Sequence, residues 1–89
     1  MAEQTPEGNY EYYEHELIGV LEEALRREHE ARDFYLTAAA QRPWKPESKK
    51  MLEWLGGEEQ KHADLITAHV EDIQKRLKWI HYKPGPQDK

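Results

Sequence analysis

Three side chains of this sequence stand where apolar ones are expected. Glu59 and His62 are three residues apart, so on a helix both leave the same face and can grip one ion from adjacent turns. The apolar positions around them run Leu52, Leu55, then Glu59 and His62, then Ile66, in steps of three and four. That places a carboxylate and an imidazole on the stripe a helix would bury. Upstream the pattern recurs, with Leu17, Leu21 and Ala24 leading to Glu28 and on to Ala31, Tyr35 and Ala38. A charged group in a core costs several kcal/mol unless it is paired, hydrogen-bonded or bound to a metal. A shared metal ion accounts for all three residues at once, since carboxylate oxygens and imidazole suit iron, manganese or zinc. The alternative is a buried polar contact, such as a Glu–His hydrogen bond that fixes the register of two helices.

The elements that must carry these residues are two long helices. Asn9 can cap the first, which Tyr10, Glu14 and Leu17 carry into the seam and which runs to about Ala40. Pro43 and Pro46 bracket a short turn, because proline lacks the amide donor and disfavours helix in the residue before it. The second helix opens at Pro46 or Glu47, where a proline is tolerated and an acidic side chain suits the positive end of the dipole. It continues through Ile66, Val70, Ile73, Leu77 and Ile80, with Lys75, Arg76 and Lys78 near its end, and a break near His69 would split off a short third helix. Gly56-Gly57 falls inside it at a cost of roughly 1 kcal/mol per glycine, which implies either a close backbone approach or distortion beside the site, or a tolerated weak point. Residues 1–9 and 83–89, with Pro6, Gly8, Pro84, Gly85 and Pro86, are expected to be loose.

The chain is an all-α single domain of 89 residues, and a two-helix hairpin of that length cannot bury much core alone. Cysteine is absent, so disulfides, iron–sulfur clusters and thiol catalysis are excluded. A formal net charge of −5 argues against nucleic acid, and no apolar run reaches membrane length. The polar, acidic start Met1-Ala2-Glu3-Gln4-Thr5 is unlike a secretory signal, so a cytoplasmic or otherwise enclosed location is expected. Trp44, Trp54 and Trp79 are too many large rings for an isolated hairpin, and at least one is expected to anchor an oligomer contact. Glu11, Glu14, Glu16, Glu22 and Glu23 read as a solvated acidic face, and His15, His29, His69 and His81 are assigned no ligand role.

One hairpin supplies half of a metal centre. Two hairpins packed face to face give a four-helix bundle with two copies each of Glu28, Glu59 and His62, hence four carboxylates and two imidazoles. That set matches the di-iron arrangement of ferritin-like bundles, in which two helices give one Glu each and the other two a Glu-x-x-His. Glu28-His29-Glu30-Ala31-Arg32-Asp33-Phe34-Tyr35, followed by Glu58-Glu59-Gln60-Lys61-His62-Ala63, resembles the half-length ferritin-like proteins called encapsulated ferritins, and more broadly the rubrerythrin branch of that superfamily. The resemblance spans about residues 14–80. It implies a ferroxidase that oxidises Fe(II) with dioxygen for iron storage or detoxification. Its site would hold two irons per homodimer, and five dimers would form a ring-shaped decamer.

By the same resemblance Glu28, Glu59 and His62 are the metal ligands, Glu30 belongs to an outer iron-entry site, and Tyr35 is a tyrosine near the metals able to hydrogen-bond a ligand. At the entry site the family has a second acidic residue and a tryptophan where this chain has Arg27 and Phe34. Family members carried inside an encapsulin shell end in a short apolar docking tail, which Tyr82-Lys83-Pro84-Gly85-Pro86-Gln87-Asp88-Lys89 is not. A place within an encapsulin nanocompartment would then need a fused shell or a tail-bearing partner. A rubrerythrin-type peroxidase is disfavoured, because the electrons it implies pass through a Cys-ligated iron domain. Two other readings stay open: a non-enzymatic helical oligomerisation module, and a redox-inert site for zinc or manganese.

Overall fold

The computed structural model describes residues 6–81, with side chains from 10 to 78. It contains two α-helices of equal length, α1 (Pro6–Gln41) and α2 (Pro46–His81), 36 residues each, folded back on one another as an antiparallel hairpin. The first helix begins three residues before Asn9, with Pro6 in the first position, where its missing amide hydrogen costs nothing. The second runs unbroken past His69, so no third helix splits off among the described residues. The expected looseness of 1–5 and 83–89 falls outside those residues, while 6–9 belong to α1.

The turn is tied at both ends. The backbone amide of Trp44 donates to the Arg42 carbonyl across Pro43 (2.9 Å), and the amide of Lys49 to the Lys45 carbonyl (3.0 Å), which starts α2. The last carbonyls of a helix lack partners within it, and the Trp44 indole Nε1 donates to one of them, Ala38, at 2.7 Å. Trp44 therefore works as a cap on α1 while remaining 39% exposed as a residue.

Among the described residues the buried apolar side chains are few: Ala39 on α1, and Ala63, Val70, Ile73 and Leu77 on α2. Gly56, Ala63, Val70 and Leu77 are all buried and recur every seven residues, so this row lies directly against α1. Its members grow from glycine to leucine with distance from the turn, in keeping with a contact that is tightest near Gly56. The stripe expected to be buried, Leu52 to Ile66, is displaced from that row: Leu52, Leu55, Glu59 and Ile66 are half-buried and His62 is exposed. The α1 seam is likewise half-buried at Leu17, Leu21, Ala24, Glu28, Ala31, Tyr35 and Ala38. The cause is geometric. The chain is 15 Å deep in its thinnest direction, one helix layer, so a seam wide enough for two neighbours is covered on one flank.

Candidate metal centre

Glu28 sits two-thirds of the way along α1, and Glu59 and His62 sit opposite it on α2. One ligand-capable atom of each lies within 4.8 Å of the others. His62 Nδ1 stands 3.5 Å from Glu59 Oε1 and 3.6 Å from Glu28 Oε1. These separations are too long for hydrogen bonds. They suit atoms arranged around an ion: ligands about 2.1 Å from a common metal are held roughly 3–3.5 Å apart at octahedral or tetrahedral angles. The donor set, two carboxylates and one imidazole, fits iron, manganese or zinc equally.

In the electrostatics of the group, two carboxyls face each other with one imidazole as their partner. Glu28 is pushed above the ordinary carboxyl range, first because its protonated form hydrogen-bonds the Glu59 carboxylate, then because it is partly desolvated and faces the Glu59 charge; His62 opposes this weakly. Other carboxyls on α1 behave in the opposite way. Glu23 is lowered to about 2 by hydrogen bonds from Arg26 and Arg27, and Asp33 is lowered by Arg32. Arginines thus satisfy the outer face, whereas the two carboxyls of the group face each other and an imidazole. A divalent cation would supply the missing charge.

Exposure distinguishes the three. Glu59 and Glu28 side chains are 21% and 26% exposed, while His62 is 53% exposed. The group therefore lies on the uncovered flank of the hairpin.

Glu30 lies on the outer face of α1, 64% exposed and bonded to Arg26. Arg27, at the position where the entry site would need an acid, donates from Nε to Glu23 at 3.0 Å. Tyr35 is half-buried on the seam with its ring edge-on to Phe34, centroids 5.5 Å apart. Among the tryptophans, Trp54 is 59% exposed, and the side chain of Trp79 lies outside the described residues. Glu14, read from sequence as part of a solvated acidic face, accepts from Arg76 Nη2 at 2.8 Å and ties the free ends of the helices together.

Sequence reasoning missed two residues beside the group. Arg32 Nη1 donates to Gln60 Oε1 across the helices at 2.7 Å, and Gln60 Nε2 donates to Asp64 Oδ1 at 2.9 Å. Their signal was positional: Arg32 is one turn beyond Glu28, and Gln60 follows Glu59 directly.

Among the described residues no helix is long and apolar enough to cross a membrane. No curated protein and no solved structure matches the chain at a significant level. The family model described as Rubrerythrin matches residues 19–87, which takes in most of α1, the turn, all of α2 and each residue of the Glu28–Glu59–His62 group. Rubrerythrins are iron-binding, ferritin-like proteins, and the carboxylate and imidazole donors gathered here are of the kind such proteins use. With that match over more than three-quarters of its length, the chain belongs to the rubrerythrin family.

Proposed function

We propose that this chain is a ferroxidase of the encapsulated-ferritin type, active as a homodimer in which two hairpins face each other across a di-iron site. The observation that carries this reading is the convergence of Glu28, Glu59 and His62 on the uncovered flank of the hairpin. A second copy docked on that flank by a two-fold axis would bring its own three donors, and four carboxylates would balance the charge of two Fe(II) ions. It would also cover the half-buried seam of Leu17, Leu21, Tyr35, Leu52, Leu55 and Ile66, for which five buried apolar residues within the hairpin are a poor substitute.

Fe(II) is the substrate of the reaction. Two bound ions give one electron each to dioxygen, which with two protons leaves as hydrogen peroxide. The chain's own residues prepare that step. Glu28 holds a proton more tightly than an ordinary carboxyl does, so loading is favoured as pH rises through its raised pKa. Glu59 and His62, one helical turn apart, would fix two donor directions for an ion held there. Five such dimers closing into a ring, within or outside a shell, complete the reading.

Stopped-flow mixing of the metal-free protein with Fe(II) in air tests the activity. Near-ultraviolet ferric absorbance should rise well above the buffer rate in wild type and fall to that rate in Glu59→Ala and His62→Ala. Wild-type oxidation at the buffer rate despite bound metal would instead indicate a redox-inert zinc or manganese site, and faster turnover with hydrogen peroxide and an electron donor would indicate a peroxidase.

A further inference from the structure

One helical turn to the turn side of the metal group, α1 and α2 meet at a contact where any side chain larger than glycine's would press on Leu36. A Cβ built on Gly56 would lie 2.6 Å from Leu36 Cδ2, 2.8 Å from Leu36 Cγ and 3.5 Å from the backbone oxygen of Arg32. Gly57, its neighbour, has open space at the same position, with nothing within 4 Å. The two glycines of the pair therefore do different things: Gly56 is a close-approach point and Gly57 is not.

The contact is placed where it bears on the ligands. Gly56 is three residues before Glu59, and Arg32 is four residues after Glu28, so the approach and the metal group are adjacent rungs of the same helix pair. The Arg32–Gln60 hydrogen bond (2.7 Å) lies beside it and joins the two helices at the residue after Glu59, while the Gln60–Asp64 bond (2.9 Å) holds the Gln60 amide at its other end. Glu28 must reach Glu59 and His62 across the gap that this interlock sets. A metal site is sensitive to such a gap, because ligand atoms must fall within tenths of an ångström of their bonding distances.

We infer that Gly56 is a positioning residue for the metal centre: its missing side chain sets the spacing of α1 and α2 at which Glu28, Glu59 and His62 share one ion. The inference rests on the metal reading proposed above. Leu36 is 43% exposed and can turn aside for a single methyl, so Gly56→Ala perturbs the site mildly. Valine adds two further methyl groups at a point where the Arg32 carbonyl, 3.5 Å from the Cβ position, is backbone and cannot turn aside. Gly56→Val is therefore expected to shift α2. Helix propensity works in the other direction: alanine and valine are both better helix formers than glycine, so neither replacement weakens α2 as a helix.

The test is titration of the metal-free full-length chain with Co(II), reading affinity and the visible d–d absorption, in wild type, Gly57→Ala, Gly56→Ala, Gly56→Val and Gly56→Ala/Leu36→Ala, with circular dichroism of each. Gly57→Ala should bind as wild type does. Gly56→Val should bind about 10- to 100-fold more weakly, with altered d–d bands and unchanged helix content. Gly56→Ala should fall between, and removal of the Leu36 obstacle should restore it. Wild-type affinity and spectrum in Gly56→Val would overturn the inference and leave the metal reading standing. If Gly56→Val fails to fold, the Gly56→Ala pair decides: no loss in the single variant, or no recovery in the double, overturns the inference. Absence of Co(II) binding in wild type would overturn the metal reading and this inference with it.

Discussion

Replacing Glu28 by glutamine should strengthen the metal-free protein and weaken the metal-loaded one. Glu28 and Glu59 place carboxylate oxygens within 4.8 Å, with side chains 26% and 21% exposed. Two full charges at that separation repel by about 1 kcal/mol in bulk water and about 3.5 kcal/mol at the effective dielectric typical of a protein surface. Glu28→Gln removes that repulsion, so the metal-free variant should melt above wild type at pH 7, by no more than this range. The direction with pH follows from the raised pKa. The folded state holds the Glu28 proton more tightly than the unfolded chain, whose carboxyl has the ordinary value of 4.5, so wild-type stability falls as pH rises from there through the raised value. Glutamine has no such titration, so the two variants should melt together near pH 4 and separate as pH rises. With Fe(II) added anaerobically the order should invert, because an ion bound only by the folded wild type adds about 2.7 kcal/mol at a hundredfold excess over Kd. Calorimetric melts at pH 4 and 7, with and without Fe(II), supply the measurement. A metal-free Glu28→Gln less stable than wild type at pH 7, with no inversion on adding Fe(II), would refute the reasoning, since it would make Glu28 a structural hydrogen-bond partner and not a ligand.

His62→Ala should abolish Fe(II) binding and change the metal-free unfolding free energy by less than about 0.5 kcal/mol, because the ring is half in solvent; isothermal titration and urea melts separate the two effects. Ile73→Ala should cost about 2–5 kcal/mol in the same melts, Ile73 being the one large side chain fully removed from water among the described residues. Arg76→Ala, which cuts the bonds to Glu14 and Asp72 at the open end, should lower the melting temperature only slightly, and 1 M salt should erase most of the difference from wild type.

The sequence made the two helices and their turn readable because proline punctuation and three-four spacing act locally. Pro43 and Pro46 stop one helix and start the next whatever the hairpin packs against. The same locality led the start of α1 to be placed at Asn9, a good cap, when Pro6 is an equally good first residue three positions earlier. The convergence of Glu28, Glu59 and His62 was legible as well, since charged residues at seam positions conflict with burial. How deeply the seam lies was not: apolar spacing marks a face that wants cover, and a hairpin one layer thick leaves His62 and much of that face open. The roles of Gly56 and Gly57 were equally hidden, because only the position of Leu36 on the other helix tells them apart. Glu14 read as a solvated charge until the fold brought Arg76 to it across the helices, at a sequence separation of 62 residues, and Arg32 meets Gln60 across the helices at a separation of 28.

The central claim, a di-iron site shared by two copies of this chain, is tested most directly by anaerobic Fe(II) titration followed by native mass spectrometry. A dimer that saturates at two irons, while Glu59→Ala binds none and forms dimer less readily, is the expected result. One iron per isolated monomer, or a dimer whose formation and mass ignore Fe(II), would contradict it.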